Sequence, residues 1–305
     1  MPREYLIATS AAEALAMLAA RPGARLIAGG TDLVIDLKEG KRQVNTLVDI
    51  SRIPELKVIK EANGEVILGG AATHAEVAAS QFIQDKLPAL AAAAAAVGSP
   101  QIRNVGTLGG NVVNAQPAAD TAVALVALGA VATILGPQGA RRVAVEDLYE
   151  GVGRSRVDAG REILTHFTVP LWGEGEGSAF ARLSPRRALS LPMLNTAVRV
   201  QVAGGKCTRA RICIAPVAPR PFLCAEAAAV LIGAEPCPEV IARAAAAARE
   251  AARPRDSLLR GSGAYRKDMT SVLVRQTLAE AFTRATGQKI GGPGLQAGAT
   301  GKVYS

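Results

Sequence analysis

The 305-residue sequence is poor in cysteine and histidine, and this excludes most metal-based chemistry. All four cysteines lie in the second half of the chain: Cys207, Cys213, Cys224 and Cys237. Their spacings match no zinc or iron–sulfur ligand pattern. The two histidines, His74 and His166, are too few for a multi-histidine centre within one chain. Any redox chemistry must therefore come from an organic cofactor or from a partner protein.

Long apolar runs are also missing. The longest uncharged apolar run, residues 122–135, is shorter than the roughly 20 residues that a membrane-spanning helix needs. The N-terminal residues carry an early acid and show no apolar stretch that ends in a small-residue cleavage site, so no secretory signal is visible. We therefore expect no membrane span and a cytoplasmic location.

Acidic residues are scarce in the second half. Residues 1–177 hold 16 Lys+Arg and 19 Asp+Glu, a net charge of −3, whereas residues 178–305 hold 19 and 7, a net charge of +12. The ten aromatic residues are scattered and form no base-stacking motif, so we do not expect nucleic-acid binding. The charge favours a docking surface for an acidic protein partner, with an arginine-biased coding composition as the alternative.

The length and the 49% apolar content indicate two globular domains. Strand and helix signals alternate up to residue 169, and a segment rich in proline and glycine, 170–177, marks the junction. Three antiparallel strands and then helices follow, and residues 287–305 look like a loose tail.

Local signals predict individual elements in the first domain. Asn63-Gly64 is typical of a hairpin turn, with strands expected at 56–59 and 65–69. Thr73 and Glu76 have the spacing of a capping box at the start of a helix. A helix-free stretch of about 16 residues is expected between Pro100 and a helix that starts near Pro117, and a loop of that length usually has a function.

Two glycine pairs have polar flanks: Ala28-Gly29-Gly30-Thr31-Asp32 after a strand, and Thr107-Leu108-Gly109-Gly110-Asn111 in the long loop. Paired glycines let successive backbone N–H groups point into one concavity, which binds phosphate without side-chain charge. Two such concavities suit a diphosphate, although each pair alone is also ordinary turn chemistry. The sequence contains neither a Rossmann fingerprint in its proper context nor a P-loop.

Charged residues near these loops are candidate ligands. Asp120, at the start of a helix, could accept hydrogen bonds from sugar or ribityl hydroxyls. The alternative is an acid that the helix dipole favours in the first turn. Three arginines within residues 181–190 could face a cofactor, a partner or solvent.

These motifs, in this order, resemble the FAD-binding subunit of the molybdenum hydroxylases, the family of xanthine dehydrogenase and carbon monoxide dehydrogenase medium subunits. The resemblance rests on residues 28–33, 101–111 and 117–120, and on later stretches at 162–164, 183–188, 217–221 and 264–266. It covers about residues 3–285.

The resemblance implies an α+β fold: a two-lobed FAD-binding domain of the vanillyl-alcohol-oxidase (PCMH) type at residues 1–175, with lobes of about 1–55 and 56–175, and an antiparallel sheet with helices at 178–286. It also implies a set of FAD contacts. The backbone around Ile27, Ala28, Gly29, Gly30, Thr31, Asp32 and Leu33, and around Thr107, Gly109, Gly110 and Asn111, would cradle the pyrophosphate. Asp120 would hold a hydroxyl, Ile163 and Leu164 would flank the cofactor, and Arg182, where the family usually has lysine, would approach the flavin.

The same resemblance implies an electron-transfer role without a catalytic residue on this chain. A large molybdopterin subunit would hydroxylate the substrate, and two 2Fe–2S clusters on a small subunit would pass the electrons to FAD. Two such heterotrimers would pair in the complete enzyme. Ala188-Leu189-Ser190 stands where the family often has an acid, which weakens NAD as the acceptor and leaves a quinone or another carrier open. A stand-alone FAD oxidase and a cofactor-free scaffold are the alternatives.

Overall fold

The computed structural model describes residues 2–186 and 189–290, so most of the expected tail lies outside the described residues. The helices are α1 (Ala11–Ala19), α2 (Leu33–Lys38), α3 (His74–Ala79), α4 (Gln81–Lys86), α5 (Pro88–Ala96), α6 (Pro100–Val105), α7 (Leu108–Val113), α8 (Asp120–Leu128), α9 (Ala225–Leu231), α10 (Pro238–Ala251) and α11 (Gly263–Thr286). The strands are β1 (Glu4–Ile7), β2 (Arg25–Ile27), β3 (Thr46–Asp49), β4 (Ile59–Ala62), β5 (Glu65–Gly69), β6 (Val131–Gly136), β7 (Gly139–Ala144), β8 (Tyr149–Gly151), β9 (Arg154–Ser155), β10 (Ile163–Pro170), β11 (Glu176–Leu183), β12 (Leu194–Ala203), β13 (Lys206–Ala215) and β14 (Phe222–Leu223). Within these residues no helix is long and apolar enough to cross a bilayer.

The first lobe is a small parallel sheet in the order β1-β3-β2 with α1 and α2 beside it. Ser10 caps α1 by accepting a hydrogen bond from the backbone N–H of Glu13, as its position before an alanine-rich run predicts. The apolar face of α1 packs on β3 in a core that includes Val48 and Ile53. The segment from β2 to α2 is therefore held on a buried strand.

The second lobe is an antiparallel sheet in the order β4-β5-β10-β6-β7. The predicted hairpin turn is confirmed, because Asn63 and Gly64 both have positive φ, 54° and 74°. The strand expected at 56–59 is wrong: Pro54–Leu56 forms a 3₁₀ turn that buries Leu56, and the strand is β4. An edge strand can expose charged residues on both faces. The charged residues of β4 therefore do not alternate with apolar ones as a strand pattern requires.

The helix-free stretch expected after Pro100 is also wrong, because it contains α6 and α7. Ser99 and Thr107 cap these two short helices through their side-chain oxygens, and Pro100 occupies the first position of α6, where proline is well tolerated. Pro117 does not start the next helix, since α8 begins at Asp120. Glycines inside α7 had suggested a loop, but capping outweighs their low helix propensity over two turns.

The C-terminal domain is a four-stranded antiparallel sheet in the order β11-β12-β13-β14, with α9 and α11 packed on it and α10 packed on these two helices. The long hairpin of β12 and β13 turns at Gly204-Gly205, where both residues have positive φ, as expected. All four cysteines are free, and Cys207 and Cys224 belong to this domain's apolar core.

The fully buried helix α8 joins the two domains, since β12 and β13 pack against it. Arg199 of β12 has no exposed surface and donates to the carbonyl oxygens of Leu128 (2.5 Å) and Pro170 (2.6 Å). Its Nε pairs with Glu176 at 2.7 Å. Arg211 of β13 donates to the carbonyl oxygen of Val126 at 2.9 Å. These arginines satisfy carbonyl groups at the negative end of the helix dipole, where a helix lacks internal partners.

We predict that Arg199→Ala lowers the free energy of unfolding by on the order of 3–5 kcal/mol, because it removes a buried ion-pair partner of Glu176 and the Arg199 donors to the Leu128 and Pro170 carbonyl oxygens. The measurement is urea unfolding followed by circular dichroism. The control is Arg209→Ala, which removes an exposed arginine of the same sheet; like Arg199, Arg209 lies over the Trp172 ring. For this control we expect a change within about 0.5 kcal/mol. Equal effects of the two changes would contradict the buried role of Arg199.

Candidate cofactor site

The first glycine segment presents backbone N–H groups that have no acceptor among the described residues. It follows the buried Ile27 at the end of β2, and Gly30 has a positive φ of 67°. Among the described residues, none accepts a hydrogen bond from the backbone N–H groups of residues 28–32. A run of consecutive N–H groups without acceptors, next to a helix start, binds an anion without side-chain charge. This segment therefore fits a pyrophosphate.

The first segment lies directly against the residues before α7. A Cβ atom on Gly29 would stand 1.9 Å from the carbonyl oxygen of Val105 and 2.9 Å from the backbone nitrogen of Gly106, so only glycine permits this approach. Burial and the neighbouring Asp36 raise the pKa of Asp32, and the side chain of Asn114, directly after α7, acts in the opposite direction. The two glycine segments predicted from the sequence are thus neighbours in space.

The second glycine pair does not form a concavity of free donors, which corrects the expectation for this segment. Leu108 donates its backbone N–H to Ala72 (3.0 Å), and Gly109 donates to Gly70 (2.8 Å). The backbone N–H of Gly110 bonds to the Thr107 hydroxyl at 3.1 Å. The contribution of Gly109 is its size, because a Cβ there would lie 2.6 Å from the Gly70 carbonyl oxygen.

Gly70 connects the second glycine pair to β10, and the sequence reasoning missed it. Its backbone N–H donates to the carbonyl oxygen of Thr165, and a Cβ on it would lie 2.2 Å from the carbonyl oxygen of Leu164. Leu164 is thereby placed beside Gly29, Gly70 and Gly109, whose close main-chain contacts we call the glycine cluster. Ile163, by contrast, is fully buried in the core of the first lobe. The available signal was a further glycine pair, Gly69-Gly70, directly after a strand.

His74 is a second residue that the sequence reasoning did not place at the site. It opens α3, donates its backbone N–H to Gly106, and a Cβ on Gly106 would lie 3.2 Å from its ring. Burial, together with the nearby Arg103, lowers the pKa of His74 to about 4. Its Nδ1 is buried without a hydrogen-bond partner among the described residues. The imidazole is therefore neutral and supports the loop by packing.

Asp120 and Arg182, two predicted site residues far apart in sequence, form a buried ion pair at 2.8 Å. The other Asp120 oxygen accepts a hydrogen bond from the Asn195 side chain at 2.8 Å, and Asn195 also donates to the carbonyl oxygen of Ala118. Burial raises the pKa of Asp120 to about 6, while Arg182 and Asn195 act in the opposite direction. The start of α8 is thus fixed to β11 and β12 of the second domain.

Most N–H groups of the Arg182 guanidinium donate to acceptors within the protein. Besides Asp120 it donates to the carbonyl oxygens of Ala96 and Ser190 and to the hydroxyl of Ser184. It therefore ties α5, α8 and the segment after β11 together. Its expected contact with a flavin stays a prediction, with one N–H of the fork left to make it.

A hydrogen bond between α7 and α8 connects the two halves of the site. The hydroxyl of Thr121, beside Asp120, donates to the side-chain oxygen of Asn111 at 2.8 Å. The predicted residues are consequently linked in one chain of contacts from Gly29 through α7 to Arg182. In the described part of the protein no group of three His, Cys, Asp or Glu side chains could hold a metal ion. The arrangement is suited to hold an anionic organic cofactor.

Comparisons with known proteins agree with this arrangement. Residues 1–172 match the family model described as the FAD binding domain in molybdopterin dehydrogenase, and residues 179–281 match the CO dehydrogenase flavoprotein C-terminal domain. The chain is 33% identical to the carbon monoxide dehydrogenase medium chain of Afipia carboxidovorans, over 92% of this chain and 97% of that one. It is 34% identical to the 6-hydroxypseudooxynicotine dehydrogenase complex subunit alpha of Paenarthrobacter nicotinovorans, over 92% and 95%.

Solved structures give the same result. Carbon monoxide dehydrogenase from Hydrogenophaga pseudoflava contains a chain that is 31% identical and superposes with a TM-score of 0.87, over 93% of this chain and 98% of that one. Quinoline 2-oxidoreductase from Pseudomonas putida contains another, 27% identical with a TM-score of 0.86, over 93% and 98%. The expected fold, a FAD-binding domain followed by an antiparallel sheet with helices, is confirmed.

We predict that Gly110→Asp abolishes flavin retention while the fold persists. Gly110 is exposed near the start of α7, where a new side chain meets only the Thr107 hydroxyl and where an acid suits the helix dipole. A negative charge there repels a pyrophosphate. The measurement is FAD released per chain, with circular dichroism as the folding check. Gly110→Asn, of equal size but neutral, is the control; equal flavin content in the wild type and the Asp variant would refute the assignment of Gly110.

The raised pKa of Asp120 predicts a pH-dependent contribution to stability. Its pKa lies near 6 in the folded chain and near 3.8 ordinarily, so the folded state binds the proton more tightly between these values. The contribution is therefore full below the ordinary pKa and is lost as the pH rises through 6. Relative to Asp120→Asn, the wild type should lose about 2 kcal/mol of unfolding free energy between about pH 4 and pH 7.

The measurement for Asp120 is urea unfolding at several pH values. Asp147→Asn, at an exposed acid, is the control for the loss of one carboxylate. A wild-type advantage that grows with pH would mean that the ion pair with Arg182 outweighs burial, and would refute this prediction.

Proposed function

The chain belongs to the FAD-binding flavoprotein subunits of the molybdenum hydroxylases, and from this premise we propose that it accepts electrons from the 2Fe–2S clusters of a small partner subunit and passes them to an external acceptor. When bound, FAD supplies the ability to take up and release electrons one or two at a time. The substrate would be hydroxylated on a large molybdopterin subunit, and the whole would work in the cytoplasm. This chain therefore carries cofactor-binding residues and no residue that touches the substrate.

The observation that carries the proposal is the run of free backbone donors at residues 28–32 against the glycine cluster. We assign the FAD pyrophosphate to residues 27–33, with Thr107, Gly109, Gly110 and Asn111 closing the site from the side of α7. The second segment contributes close approach and shape, since its own N–H groups already have acceptors. Leu164 would flank the cofactor at β10, with Ile163 supporting it from the core.

Asp120 and Arg182 would act at the flavin side of the same site. Each Asp120 oxygen has a lone pair beyond the one it uses for Arg182 or Asn195, so it can still accept a ribityl or sugar hydroxyl. The ion pair holds that carboxylate in place. We assign the FAD domain to residues 1–175 and the docking and supporting domain to residues 178–286.

The site supports an electron carrier better than a stand-alone oxidase. An oxidase needs a base beside the flavin, and the two buried titratable groups near the glycine cluster are committed to structure: His74 packs under Gly106, and Asp120 is bonded to Arg182 and Asn195. The external acceptor would be NAD, a quinone or another carrier. Two heterotrimers would pair in the complete enzyme.

The test is to purify the chain, alone and with its large and small partner subunits, and to identify any chromophore after acid release. We expect flavin absorbance with about one FAD per chain, and bleaching of that flavin when the assembled complex receives its substrate without oxygen. A folded chain that binds no added FAD, alone or in the complex, would overturn the proposal. Bleaching of the isolated chain by substrate would instead favour the oxidase.

A further inference from the structure

The loop between α10 and α11 exposes two adjacent leucines. Leu258 is 108% exposed and Leu259 is 80% exposed, the highest values of the large apolar residues that the structure describes. Removing a leucine side chain from water is favourable by roughly 1.5–3 kcal/mol, so a soluble surface gains nothing from displaying a pair. We refer to residues 257–261 as the leucine turn.

The leucine turn is held in a fixed shape by its own hydrogen bonds. Ser257 accepts two backbone hydrogen bonds: the N–H of Arg260 donates to its carbonyl oxygen at 3.3 Å, and the N–H of Leu259 donates to its hydroxyl at 3.3 Å. Its own N–H donates to Gly261 at 3.2 Å. A segment that is ordered before binding loses less entropy when a partner covers it. The leucines are therefore presented on a turn with its own hydrogen bonds.

Buried groups beneath the turn fix its base. Arg266 of α11 is 3% exposed and donates to the carbonyl oxygens of Pro216 and Arg255. The Asp256 carboxylate accepts the backbone N–H of Gly263 at 2.7 Å. The turn is consequently anchored to the C-terminal sheet as well as to α11.

The turn also carries an arginine without an acceptor. Arg260 is half-buried, and none of the described residues accepts a hydrogen bond from its guanidinium, whose Nε is buried. Arg266, close by, repels it, and burial lowers the pKa of both groups. A shallow cleft of about 370 Å³ beside the turn is lined by Arg253, Lys267 and Asp256, and Lys267 pairs with Glu250 at 3.3 Å. The surface therefore combines two apolar side chains with a half-buried guanidinium whose outer N–H groups can donate to a carboxylate.

We propose that the leucine turn is a docking surface for a partner subunit that offers an apolar pocket with a carboxylate at its edge. The proposal rests on the proposed function, which supplies the partner chains. Charge complementarity favours a protein over other occupants, because the planar donors of one half-buried guanidinium match a positioned carboxylate better than mobile anions. The leucines would act as the buried anchors of the contact, and an ion pair between Arg260 and the partner's carboxylate would orient it.

The experiment compares assembly of the purified chain with the large and small subunits of its own organism. The variants are the double change Leu258→Ser with Leu259→Ser, and Arg260→Glu. The matched controls are Ile232→Ser, a 50% exposed apolar residue of the same domain, and Arg243→Glu, an exposed arginine of α10. Association constants come from sedimentation velocity at two salt concentrations, and FAD content is measured on every sample.

We expect each test variant to associate at least tenfold more weakly than the wild type, with FAD content unchanged and with both controls near the wild type. The loss for Arg260→Glu should shrink as salt rises, whereas the loss for the leucine variant should persist. Equal association of variants and controls would overturn the docking surface and leave the proposed function intact. Absence of association in the wild type would overturn the proposed complex.

Two further arms identify other occupants. Flotation with vesicles of phosphatidylcholine and phosphatidylglycerol tests whether the leucine turn inserts into a lipid surface. Sedimentation of the chain alone tests whether two copies pair through it. Binding in either arm that is lost in the leucine variant, with subunit assembly unaffected, would replace the partner subunit by lipid or by a second copy.

Discussion

The buried helix α8 depends on the second domain at both of its ends, and the rest of the molecule is arranged around this constraint. At its start, Arg182 and Asn195 hold the Asp120 carboxylate. At its end, Arg199 and Arg211 bond the last carbonyl groups. An isolated first domain would lose these donors and would expose to water the apolar surface of α8 that β12 and β13 now cover. The two domains are therefore coupled in energetic terms, and the apolar core around α8 includes Ala197, Cys213 and Ala215 of the second domain.

The candidate site uses a different principle, the close approach of main chains. Gly29 meets Val105, Gly70 meets Leu164, and Gly109 meets Gly70 at distances that no side chain permits. These contacts bring the parallel sheet of the first lobe, α7 and β10 to one place. A hydrogen bond from the Thr121 hydroxyl to the Asn111 side chain then connects α7 to α8. The site is thus positioned by both lobes and braced by the second domain.

Sequence patterns predicted the capped helices, the hairpin and the long antiparallel strands because their signals are local. Ser10, Thr73 and Asn63-Gly64 each act within a few residues. The strand β4 and the helices α6 and α7 were missed, since an edge strand tolerates charge and a glycine-rich helix depends on its caps. The first glycine segment was found from its residues, and the family from the order of motifs. The roles of Gly70 and His74 depend on contacts between distant segments, which no local pattern contains.

The free donors at residues 28–32 belong to the main chain, and this has an evolutionary consequence. A side-chain ligand disappears with a single substitution, but a backbone N–H survives every replacement except proline. Most positions in such a segment can therefore vary while recognition of the anion persists, and only the contact glycines are constrained by size. If residues 28–32 hold the FAD pyrophosphate as proposed, the surface around them can change in charge and in partners without loss of the groups that hold the cofactor.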